Sequence, residues 1–210
     1  MTDLVQRKAL SGIEVRMLVQ LLAAAAVLIP TTVLFGERIV VALLPLMREV
    51  FEWVGGDFKL LRLAVDREGA DRVVRATVMW KHIVFIGGHV IYPDHRGTAN
   101  ASTLIAHVLQ GPLAALLVTC AWPLTAGTGR IACKQLASRL LILSPWLLIL
   151  VCADVPAVLA GELWQMALDV LAPGSKSALV YWKNFLQGGG RYALGLAGAV
   201  AAIQLTTRHS

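Results

Sequence analysis

Apolar residues along this chain fall into long runs, broken once by a stretch in which they alternate with charges. The first run, 17–35, contains no Asp, Glu, Lys or Arg. It has the length of a membrane-spanning helix, which needs about 20 mostly apolar residues. Arg7, Lys8 and Arg16 precede it, as basic residues precede a signal peptide. The run is longer than a typical signal core, and 30–35 offers no small-x-small cleavage site, so a retained span is expected. The continuation to residue 54 carries Pro45, Arg48, Glu49 and Glu52. Its apolar part is too short to cross again. It reads as an interfacial helix or as the first span prolonged beyond the bilayer, with Trp53 suited to the headgroup level.

The pattern changes over 55–102. Charges become frequent and apolar positions alternate, as in strands with one buried face. Two β-like runs, 58–65 and 72–79, flank a turn-like Asp66-Arg67-Glu68-Gly69-Ala70. A third run, 82–92, holds Gly87 and Gly88, which suggest a bulge or bend. A small β meander of this kind needs something to pack against. Helical apolar runs then return at 103–124, 140–160 and 188–206. Between them lie a basic loop, 125–139, and a polar-apolar segment, 161–187, broken at Pro173-Gly174-Ser175. In that segment, 162–171 suits a short interfacial helix. Ser102 or Thr103 is placed to cap the second span.

The expected fold class is mostly α: a polytopic membrane protein of about four transmembrane helices, with a small β-rich extracytoplasmic insertion between the first and second. The expected organisation is a cytoplasmic tail (1–16), a first span with its interfacial helix (17–54), the insertion (55–102) and a three-span bundle (103–210).

Composition agrees. Of the 210 residues 57% are hydrophobic and 15% charged, against about 25% charged in soluble domains. The mean hydropathy is +0.69. The net charge of +6 comes from dispersed side chains, without the basic runs and interleaved aromatics of a nucleic-acid surface. Those cations suit anionic lipid and topology instead. Arg7, Lys8 and Arg16 in the tail, and Arg130, Lys134 and Arg139 in the 125–139 loop, place both regions in the cytoplasm. Both termini are then inside, and 55–102 and 161–187 outside, in the periplasm of a Gram-negative cell.

Ionisable residues within spans are costly and point to a role. His107, Asp154 and Arg191 fall at similar depth in the outer leaflet when the three later spans run antiparallel. Such a cluster would pin helices together, bind an anionic headgroup or substrate, or relay a proton. His82, His89 and His95 lie in the outside segment, but His82 and His89 point oppositely along a regular strand, so no metal site is expected. No cofactor is expected. Cys120, Cys133 and Cys152 form neither a CxxC pair nor a zinc spacing. Ala132-Cys133-Lys134, ahead of a leucine-rich span, is similar over a few residues to the cysteine motif of exosortases, the membrane transpeptidases of Gram-negative bacteria. The small residues that follow that cysteine are here Lys134 and Gln135, and no histidine follows until His209, so the activity is not carried over. In the last span Gly195 with Ala199, and Gly198 with Ala202, are small-x₃-small pairs fit for close helix contact, within the chain or with a partner.

With no complete catalytic constellation, the leading expectation is a non-catalytic accessory or assembly subunit of a multi-subunit inner-membrane complex. It would contact membrane lipids and other integral membrane proteins through its outside segment and small-residue helix faces, and no nucleic acid. The alternatives are a membrane-embedded enzyme or lipid-handling protein using His107, Asp154 and Arg191, and a small transporter or channel subunit with proline kinks.

Overall fold

The computed structural model describes the backbone of residues 2–94, 96–124 and 129–207, with side chains from residue 15 onward. The expectations for His95, for the tail cations Arg7 and Lys8 and for loop residues 125–128 lie outside the described residues. The chain is mostly helical, at 69%, with a small antiparallel sheet.

In chain order the elements are α1 (Thr2–Val54), β1 (Phe58–Glu68), β2 (Asp71–Trp80), β3 (Val84–Ile86), β4 (His89–Ile91), β5 (Ala99–Leu104), α2 (Ile105–Ala121), α3 (Gly129–Leu171), α4 (Ala178–Phe185), a π-helical turn (Leu186–Gly190) and α5 (Arg191–Thr207). Two stretches of helix are long and apolar enough to cross a membrane, Val15–Val54 and Gly129–Leu171. The shorter α2 is also apolar. At 1.5 Å per residue, α1 extends about 80 Å and α3 about 65 Å, each more than twice a hydrocarbon core of about 30 Å.

These lengths settle one alternative. The 39–54 segment is not a separate helix; it prolongs α1 without a break. Likewise 162–171 is the end of α3, and 129–139 is helical and forms its start. Pro30, Pro45, Pro112, Pro145 and Pro156 all lie inside helices.

Two compact units are formed. One comprises Met1–Leu34, Gly111–Leu148 and Tyr192–Ser210; the other comprises Phe35–Gln110 and Ile149–Arg191. The second unit holds the sheet, in the order β1-β2-β5. β1 and β2 form a hairpin in which Glu68 faces Asp71, with one irregularity between Leu60 and Arg62 that leaves Leu61 out of register. β5 completes the sheet on the other side of β2, from Val73↔Leu104 to Val78↔Ala99. The segment expected to be the second span therefore starts as a strand, and its helix begins at Ile105. Ser102 and Thr103 do not cap it. Ser102 Oγ donates to Glu68 Oε2 at 2.8 Å instead, and nearby Thr77 Oγ1 donates to Asn100 Oδ1 at 2.7 Å.

The run 82–92 is a hairpin rather than a bent strand. β3 and β4 pair from Val84↔Ile91 to Ile86↔His89. Gly87 and Gly88 sit at φ +58° and +83°, the two positive values that a tight two-residue turn requires. A Cβ on Gly87 would also lie 2.2 Å from the Leu171 carbonyl oxygen, so the turn abuts the end of α3.

The sheet finds its packing partner within the chain. Val74, Ala76, Val78, Phe58 and Leu60 bury against Val40, Met47 and Phe51 of α1 and Val155, Leu159 and Leu163 of α3. Phe58, Trp80 and Trp164 form an aromatic trio, with centroids 4.7 Å apart for Phe58–Trp80 and 5.9 Å for each contact to Trp164. Arg72 of β2 pairs with Glu37 of α1 at 3.1 Å.

In the first unit the core is Ala115, Leu143, Ala199 and Ala202. The small residues of α5 permit this packing. A Cβ on Gly195 would come within 2.5 Å of the Gly111 carbonyl oxygen, and one on Gly198 within 2.1 Å of the Trp146 ring. The same ring donates its indole N–H to the Leu194 carbonyl at 3.0 Å. Gly195, Gly198, Ala199 and Ala202 are thus all engaged inside the chain.

Candidate functional site

The glycine triplet 188–190 sets up the polar centre of the second unit. Gly189 adopts φ +113° within the π-helical turn, a region closed to most side chains. Gly190 lies against the Phe185 ring, where a Cβ would approach to 2.5 Å. The kink delivers Arg191, the first residue of α5, to Asp154 on α3.

Arg191 and Asp154 are 5% and 4% exposed. Nε of Arg191 lies 2.9 Å from Oδ1 and 2.8 Å from Oδ2 of Asp154, one nitrogen facing both carboxylate oxygens. Two opposite charges out of water satisfy each other here, as apolar surroundings demand. Nη2 of Arg191 is buried without a hydrogen-bond partner. His107 does not join this pair. It is exposed on α2 and makes no hydrogen bond or ion pair among the described residues. The predicted trio is therefore a closed pair with a separate histidine. Asp154, held by a guanidinium, is not placed as a general base for an outside proton.

A second polar cluster escaped the sequence reading. Lys183 of α4 is 4% exposed. Its Nζ donates to Glu162 Oε2 at 2.8 Å and also to Gln165 Oε1, both on α3. Gly161 permits the approach, since a Cβ there would meet the Lys183 Cβ at 2.6 Å. The available signal was a lone lysine within Tyr181-Trp182-Lys183-Asn184-Phe185, with Glu162 and Gln165 three apart on one helical face before it. Lysine, glutamate and glutamine close on one another, as a helix-to-helix tie does.

Arg139 is the third. It is fully buried, and its guanidinium donates to the carbonyls of Trp122 and Pro123 at 3.0 and 3.2 Å, and to Thr206 Oγ1 at 3.4 Å. The carbonyls at the end of α2 lack helical partners, and a cation is favoured there. Its role is structural, although the sequence reading used it only as a topology signal.

His82 Nε2 donates to Asp57 Oδ1 at 2.9 Å, both on the surface, and His89 is exposed on β4. No group of three His, Cys, Asp or Glu side chains fit to hold a metal occurs among the described residues. Cys120, Cys133 and Cys152 are free thiols.

The second unit also contains a cavity of about 430 Å³ between the sheet, the chain following β4 and the last turns of α3. It could not be seen in the sequence, because its walls come from three separate stretches of chain around Val78–Trp80, Thr98 and Met166, with Phe58 from a fourth. Beside it the β3–β4 hairpin turns Val84 and Ile86 inward, while the opposed pair Phe85 and Val90 stands 75% and 45% exposed.

No protein-family model, curated protein or solved structure matches this chain.

Proposed function

We propose that this chain is a non-catalytic accessory or assembly subunit of an inner-membrane complex, and that it contacts an integral membrane partner through its 55–102 segment. The observation that carries this reading is the Phe85–Val90 pair. Two apolar side chains face each other across a hairpin whose other face buries Val84 and Ile86, and both stand out from the protein. Exposed aromatic and aliphatic anchors of this kind are what interface cores use. The small-residue faces of α5 are occupied within the chain, so the hairpin is the better contact surface. The polar clusters support the same reading: Asp154–Arg191 and Lys183–Glu162–Gln165 each close on themselves and leave no nucleophile beside a base.

The proposed layout has four spans drawn from α1, α2, α3 and α5, with both termini cytoplasmic and 55–102 periplasmic. The cations of the 125–139 loop and the N-terminal tail support it. α2 reaches about 25 Å, the short end of what a span needs.

The test is a photo-crosslinking amino acid at position 85 of the full chain in cells. A discrete crosslink to another membrane protein, lost in the Val90→Asp variant, is expected. A monodisperse monomer in mild detergent, with 55–102 protected from protease and no crosslink in cells, would sink the proposal.

One observation favours a second reading, in which the protein handles an anionic substrate: the buried Nη2 of Arg191 has no partner. Normal cellular function in a folded Asp154→Leu/Arg191→Met double variant would exclude it.

A further inference from the structure

We infer that the cavity of the second unit binds the acyl chain of a lipid whose head donates hydrogen bonds, through a hydroxyl or ammonium group. This inference is independent of the subunit reading. The cavity holds about 430 Å³, roughly three times the ~150 Å³ apolar cavity that accommodates a benzene ring. Its walls are apolar, with Phe58 and Trp80 on the sheet side and Leu163 and Met166 on α3. The lining side chains that carry a charge or a hydroxyl are Tyr92, Asp94 and Thr98, and all three come from one short stretch of chain.

That distribution selects the ligand. A peptide strand or a sugar laid along these walls would leave polar groups buried without partners, at a cost of about 1–3 kcal/mol each. A hydrocarbon chain leaves none. It needs polar contact for its head only, and the charged and hydroxyl side chains of the lining are limited to Tyr92, Asp94 and Thr98. Met79 and Met166 both line the space, and flexible thioethers adapt to chains of varying shape. The α3 wall belongs to a helix long and apolar enough to cross a membrane, so acyl chains are the abundant apolar ligand at hand.

The head follows from Asp94. Its Oδ1 accepts the backbone N–H of Arg96 at 2.9 Å, and its carbonyl accepts that of Gly97 at 3.1 Å. This turn fixes Asp94, a lining residue, and with it the carboxylate that the lining contributes. A carboxylate attracts a hydroxyl or ammonium head and repels the anion of a free fatty acid.

The test uses the full chain in lipid nanodiscs with two probes, a phosphatidylethanolamine and a free fatty acid, each carrying a diazirine on the acyl chain. Mass spectrometry locates the adducts after irradiation. The expected result is adducts from the phosphatidylethanolamine probe on peptides spanning 78–99 and 163–171, suppressed by unlabelled phosphatidylethanolamine. In Ala167→Trp, which fills the cavity, these adducts are lost while those on lipid-facing α1 persist. If that variant does not fold, Ala167→Leu serves, with a partial loss expected. Adducts confined to α1, α2 and α5 would overturn the binding site. So would adducts in the two peptides that survive cavity filling in a folded variant. Equal labelling by the fatty acid probe would overturn the choice of head.

Discussion

Removing Arg191 while keeping Asp154 is the sharpest perturbation of this structure. The Asp154 side chain is 2% exposed and that of Arg191 6%. Arg191→Met keeps much of the apolar stem and deletes the guanidinium. A buried carboxylate is then left without its cation. Breaking a buried pair in this way costs about 3–5 kcal/mol. The double variant Asp154→Leu/Arg191→Met removes both charges, and such replacements are often neutral or stabilising by about 1–4 kcal/mol. The single variant should therefore be the less stable of the two. With Asp154→Leu as the second single variant, the double variant's effect minus the sum of the two single effects gives the coupling of the pair. His107 supplies the control. It is exposed and outside the pair, so His107→Ala should stay within about 0.5 kcal/mol of the parent.

The assay is reversible unfolding of the purified chain in mixed micelles, followed by far-ultraviolet circular dichroism as denaturing detergent increases. An Arg191→Met cost below about 1 kcal/mol would refute the claim that the pair is desolvated and closed, since that is the range of an exposed ion pair. A His107→Ala cost equal to that of Arg191→Met would refute the separation of the histidine from the pair.

Three further outcomes are expected. Gly87→Ala should destabilise the β3–β4 hairpin, because it adds a Cβ at φ +58° and 2.2 Å from the Leu171 carbonyl oxygen; hydrogen exchange over 83–92 should rise while that of β1 and β2 is unchanged. Gly195→Val places its branch against the Gly111 backbone, where no flexible side chain gives way; overpacking costs about 1–3 kcal/mol or more, read as a lower unfolding midpoint in the same micelle assay. Arg139→Lys should restore little of the stability lost in Arg139→Met, since one ammonium cannot reproduce a planar fork reaching two carbonyls and a hydroxyl; equal stability of Arg139→Lys and the parent would contradict the capping role.

Elements with strong local signals were legible in the sequence. The β1–β2 hairpin was placed from alternation and its turn residues, and the apolar runs marked the helices. Boundaries failed where distant contacts decide the local state. Pro45 and the charges at 48–52 left two readings open, a separate interfacial helix or a continuation of the first. The helix continues because Val40, Met47 and Phe51 share a buried face under the sheet, and Arg48 and Glu52 pair at 3.6 Å on the solvent side. Of the 99–104 segment, residues 103 and 104 looked like the start of a span. The whole segment is a strand because the edge of β2 recruits it, a pairing made across more than twenty residues of chain. Asp154 and Arg191 were named together because ionisable residues in apolar helices must find partners. His107 was grouped with them by depth along its helix, and depth does not report which way a helix face points. The cavity and the Lys183 tie come from sequence-distant residues whose local patterns are ordinary, so no window of sequence contained them.

Helix length bears on how the chain meets a membrane. α1 and α3 each exceed a bilayer core by about 35 Å or more. The surplus is not left bare: Val40, Met47 and Phe51 of α1 and Val155, Leu159 and Leu163 of α3 carry the sheet. α1 thus has an apolar stretch, Val15 to Phe35, on which Leu18, Leu22, Val27 and Val33 are exposed, and a later stretch whose Val40, Met47 and Phe51 bury against the sheet. The same division explains the composition of the 55–102 segment. With two long helices supplying the apolar face, its strands need only one buried side each, and their other side is free to carry the charges that first set this segment apart. A separate β domain of this size would have had to bury both faces of something. Here the sheet buries one face on the stretches of α1 and α3 that belong to its own unit, and needs no second layer.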